Sequence, residues 1–64
     1  MNKFNEYDVV QATRDLSDKV HAKATGTVLL VFEDSPFHYE VEFMESGESL
    51  GTLTVSETDL RSAN

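Results

Sequence analysis

Between His38 and Phe43 polar and apolar residues alternate without a break, as His-Tyr-Glu-Val-Glu-Phe. A period of two puts Tyr39, Val41 and Phe43 on one face of a β-strand and His38, Glu40 and Glu42 on the other. One face can build a core while the other shows a row of negative charge. That row lies in a segment of one sign: from Ala24 to Leu60 there is no Lys or Arg but there are eight carboxylates.

The remaining segments extend the β reading. Tyr7–Thr13 reads as a first strand. Arg14–Ala24 is polar, and Leu16 and Val20 either pin one helical turn or anchor an ordered loop. Thr25–Glu33 is the strongest strand, with Gly26 at its start and a β-branched, aromatic-rich body. Its apolar residues fall on both parities: Val28, Leu30 and Phe32 on one, Leu29 and Val31 on the other. Such a strand is buried on both faces or bends around a barrel. Asp34-Ser35-Pro36-Phe37 is a turn, and Glu45-Ser46-Gly47-Glu48 a second one. Ser49–Val55 is the next strand. Ser56 with Asp59 has capping-box spacing and opens a short helical turn that brings Leu60 to the core.

These elements predict an all-β domain: a small SH3-like barrel of four to five antiparallel strands with a short C-terminal helical turn. Barrel closure would hide the sheet edges. The whole of 1–64 is one domain, with residues 1–6 expected to fray. At 64 residues and 39% hydrophobic content the core is thin. With no cysteine, disulfides and thiolate zinc sites are excluded, so packing or a partner must supply the stability. No apolar run is long enough to span a membrane, no signal-like apolar region follows Met1, and a cytoplasmic location is expected.

The order of these segments resembles a known family. Tyr7-Asp8-Val9-Val10, Thr25-Gly26-Thr27-Val28, Tyr39-Glu40-Val41-Glu42-Phe43, Gly47, Leu50-Gly51-Thr52-Leu53-Thr54-Val55 and Asp59-Leu60 together are similar to DUF4926, a prokaryotic domain of unknown function. The resemblance implies an SH3-like barrel and no particular reaction. Members of the family look like the small partners found beside toxins or other effectors, an association and not a mechanism. Similar proteins often carry a second glycine three residues before Gly26, where this chain has Lys23, and a different loop path is expected there.

Chemistry is sparse. The serines lie in turn-like surroundings without a nucleophile elbow, and His21 and His38 lack a partner pattern. Glu40 and Glu42 point the same way about 7 Å apart, but no apolar pocket separates their environments as acid/base work requires. Oxygen-rich turns at Glu33-Asp34-Ser35 and Glu45–Glu48 lack the spacing of a calcium loop, which leaves weak calcium binding as a lesser reading. No enzyme and no cofactor are expected. A net charge of −7 repels nucleic acid and anionic lipid and attracts basic proteins. The expected function is a non-catalytic acidic interaction module, of immunity-protein, antitoxin or other neutralising type, for a basic protein such as a toxin or nuclease effector. Glu40, Glu42, Glu45 and Glu48 are its expected acidic contacts, Glu33 and Asp34 its rim, and Phe37 and Met44 its dry centre. The alternative is a homodimeric structural module that pairs through an edge strand or through Leu29 and Val31.

Overall fold

A computed structural model describes residues 4–33 and 37–63. Five strands follow one another: β1 (Val9–Ala12), β2 (Thr25–Phe32), β3 (His38–Glu45), β4 (Glu48–Ser56) and β5 (Leu60–Ser62), with a 3-10 turn at Glu57–Asp59 before β5. They form one antiparallel sheet in the order β4-β3-β2-β1-β5. A long β1–β2 loop, a three-stranded meander, a 3-10 turn and a last strand returning to β1 make the connectivity of a small SH3-like barrel.

Alternation in β3 sorts as its pattern demands. Tyr39, Val41 and Phe43 are buried, and they meet Val10, Ala12, Val20, Val28, Val55 and Leu60 in the core. Each of the larger apolar side chains contributes about 1.5–3 kcal/mol by leaving water, Ala12 less, and together they must offset the ordering of the whole chain. Phe4 joins them: its ring meets Tyr39 edge-to-face with centroids 5.5 Å apart. The chain is therefore anchored from Phe4 onward, not frayed to Glu6, while residues 1–3 lie outside the described set.

Mixed parity in β2 has a local cause. Val28 pairs with Val41, but Leu30 pairs with Glu40, so Leu29 is the extra residue of a bulge. The bulge flips the face of every residue after it. Gly26 and Val28 point inward before it and Val31 packs on the core after it, while Leu30 and Phe32 turn outward. The strand bends and is not buried on both faces. Where β2 crosses the core, Gly26 faces Val41 and Phe43 so closely that no Cβ fits.

Two further expectations change, and one open alternative is decided. The first strand is shorter than Tyr7–Thr13, because Tyr7 takes φ +69° in a turn. Arg14–Ala24 contains no helical turn. Its Leu16 N–H donates to the Val20 carbonyl at 2.8 Å, the reverse of a helical bond, and Ser17 Oγ accepts the Val20 N–H at 3.1 Å. Leu16 and Val20 are thus the anchors of an ordered loop. The barrel is not closed by hydrogen bonds: among the described residues β4 and β5 form no ladder, and the 3-10 turn bridges them. The Asp34–Pro36 part of the expected turn lies outside the described residues.

Lys23 holds φ +76° while its N–H donates to the Ala12 carbonyl at 2.8 Å. The lysine therefore does not remove the left-handed step that a glycine would take freely. Lys23→Gly keeps the bond and relieves the Cβ strain, at the cost of a freer unfolded chain. A net stabilisation of about 0.5–1 kcal/mol is expected from chemical denaturation. A loss of stability would show that the Lys23 side chain makes compensating contacts.

Candidate interaction face

The outer face of the sheet is built in rows across the strands. Phe32, His38 and Ser56 form one row; Leu30, Glu40 and Thr54 the next; Thr27, Glu42 and Thr52 the third, with Val9 beside Thr27. Glu40 and Glu42 sit in the middle of this face and are half-buried. To one side lie the short threonines of β4. To the other lie Leu30, 45% exposed, and Phe32, 38% exposed.

Among the described residues no cation pairs with either glutamate. Arg14 is engaged by Asp59, and Arg61 lies on β5 opposite Gln11. Lys19 and Lys23 line a separate groove with His21, Met44, Glu45 and Leu50. Two carboxylates about 7 Å apart on one strand repel by about 0.6 kcal/mol in bulk water, and by more where the local dielectric is lower. A basic group brought to this face relieves that repulsion.

Next to Leu30 the surface dips. A groove of 520 Å³ is lined by Asn5, Glu6, Tyr7, Leu30, Val31 and Glu33. Its Tyr7 ring is 73% exposed and its polar lining includes two carboxylates. A lysine or arginine side chain fits such chemistry, with its stem on Leu30 and Val31 and its head near Glu6 or Glu33.

The expected contact set divides on the structure. Glu40, Glu42 and Glu33 belong to this face and its groove. Met44 is exposed but lies a row further on, opposite Thr25 and Ser49. Glu45 and Glu48 face each other across the Ser46-Gly47 hairpin at the far end of the meander. There Ser46 and Gly47 hold φ +53° and +82°, a type I′ turn. Phe37 is half-buried and packs against the core, so only part of its ring is left for a contact. Asp34 lies outside the described residues. Leu29 and Val31 do not form an exposed pair either, because the bulge sends Val31 to the core. Leu30, Phe32, Tyr7 and Glu6 are the surface residues that the sequence reading passed over. The run of five apolar residues from Val28 to Phe32 was the available signal, since one thin core cannot take all five.

No three His, Asp or Glu side chains gather in a metal-binding cluster among the described residues. No described helix is long and apolar enough to cross a membrane.

The family model for Domain of unknown function (DUF4926) matches residues 6–62, which spans β1 to β5 and the outer face. The chain belongs to this family. Neither the curated proteins nor the solved structures offer a match. The DUF4926 match covers both β3, with its alternating strand, and the 3-10 turn, so the whole frame that positions Glu40 and Glu42 belongs to the family domain.

Proposed function

We propose that this DUF4926 protein is a non-catalytic interaction module that docks its outer β2–β3 face on a basic protein surface. The observation that carries the reading is the placement of exposed Leu30 and Phe32 beside Glu40 and Glu42, which no cation pairs among the described residues. Apolar area supplies affinity at the centre of an interface, while charge speeds encounter and selects partners. Glu33 and Glu6 extend the acidic rim through the Tyr7 groove. An antitoxin or immunity protein that neutralises a basic effector in the cytoplasm is the form of this function that fits the chain's −7 charge. A homodimer through the same apolar residues is the second reading, favoured by the exposure of Leu30 and Phe32.

The test is titration calorimetry against the product of the adjacent gene, with wild type and Glu40→Lys/Glu42→Lys. The double reversal is expected to weaken binding by at least about tenfold and to flatten its salt dependence. The fold should persist, because both positions lie on the open face of β3. Unchanged affinity in a folded double variant would sink the acidic-face reading.

A further inference from the structure

The sheet has two edges, and they are unequal. β5 has three residues, too short to template much pairing, whereas β4 has nine. Natural edges of that length are usually blunted by charge, proline or a bulge. In β4 the register shift falls early, between the pairs Phe43–Gly51 and Met44–Ser49. Beyond it, Thr52-Leu53-Thr54-Val55-Ser56 is regular, uncharged and free of proline. Among the described residues no strand covers its outer side.

We propose that β4 accepts an added strand from the partner, an extended segment in which basic and apolar residues alternate. The proposal rests on the acidic-face reading and specifies how the partner engages it. An incoming strand would place every second side chain on the outer face, beside Thr52 and Thr54. Those threonines pair with Glu42 and Glu40. Glu40 and Glu42 then lie two strand spacings away, about 9.5 Å. Threonine is short, so the stem of a lysine or arginine can cross it and bring its charge to the carboxylates. The intervening residues of the incoming strand fall beside half-buried Leu53 and buried Val55, where an apolar side chain extends the core rim. Main-chain bonds give such a complex its affinity and alternating side chains its specificity. A second copy of the chain is the poorer occupant, because it brings seven further net negative charges and another Glu48 to the same edge.

The probe is a capped peptide with Lys-Val-Lys-Val-Lys at its centre and serine flanks. Two controls carry backbone N-methyl groups, one on the valines and one on the lysines, because alternate N–H groups of a strand point to opposite edges. Calorimetry is expected to show binding of the parent peptide. One methylated form should lose at least roughly tenfold in affinity while the other keeps it, an asymmetry that charge attraction cannot produce. Amides within residues 52–56 should gain protection from hydrogen exchange. Glu40→Gln/Glu42→Gln should weaken the parent peptide. If both methylated forms bind like the parent and only the glutamate variant fails, strand addition is overturned and the acidic face stands. If methylation matters and the glutamates do not, the edge stands and the acidic-face reading falls. No binding at millimolar peptide overturns the proposal. So does a dimer by sedimentation whose protected amides are those of 52–56.

Discussion

Gly26→Ala is expected to destabilise the protein by about 2–3 kcal/mol, a typical cost for forcing atoms into a packed core. A Cβ at this position would lie 2.6 Å from Val41 Cγ1, 2.9 Å from Phe43 Cδ1 and 2.9 Å from the Glu42 carbonyl oxygen. The first two neighbours are core side chains and the third is backbone of β3. None can yield without moving β3. Alanine does reduce the entropy of the unfolded chain, but that gain is only about 0.4–1 kcal/mol. The clash therefore wins. For a domain of this size each kcal/mol lowers Tm by roughly 4–8 °C, so thermal unfolding should shift by about 10–20 °C. Gly47→Ala is the control. It has open space around the new Cβ and φ +82°, so only the strain of a left-handed residue applies, about 1 kcal/mol. Equal losses at the two glycines would refute close approach as the reason for Gly26.

Asp59→Ala should cost about 2–3 kcal/mol, although Asp59 is a charged residue on a three-residue turn. Its carboxylate is buried, and the residue ties three elements together, two of them through that carboxylate. Oδ2 accepts the Ser56 N–H at 3.1 Å at the start of the 3-10 turn. Oδ1 accepts Arg14 Nε at 3.0 Å and lies 2.9 Å from Nη2, which holds the β1–β2 loop. Thr13 N–H donates to the Asp59 carbonyl at 2.9 Å, so the same residue also seats the chain beside β1. Alanine would leave the Ser56 N–H without its cap and Arg14 without its carboxylate. The Arg14 side chain is 66% exposed and that of Asp59 13%, so the two ends of the pair are not equivalent. Arg14→Ala should cost no more than about 1 kcal/mol, since water can replace much of what an exposed guanidinium provides. Denaturant titration of both variants measures the difference. A loss from Arg14→Ala as large as that from Asp59→Ala would show that the ion pair, and not the cap, holds the turn.

Gly26 and Asp59 also show how far local pattern carries. The Ser56–Asp59 spacing was readable as a capping box because its two partners are three residues apart. That Arg14 completes the site, 45 residues away in sequence, was not readable, because nothing in a polar loop names its distant partner. Gly26 could be placed at the start of a strand, but its close contact with Val41 and Phe43 depends on the β2–β3 register.

The outer face of the sheet divides in the same manner. The alternation of β3 determined that Glu40 and Glu42 point away from Tyr39, Val41 and Phe43, because side-chain direction along a strand is a local property. Composition determined the excess of negative charge. Which apolar residues stand beside those glutamates was decided by one bulge at Leu29, which turned Leu30 and Phe32 outward and sent Val31 to the core. Which edge remained open was decided by the return of β5 to β1 instead of β4. Both are outcomes of pairing between segments far apart in the chain, where the energy lies in shared burial and ladder bonds that no single segment carries.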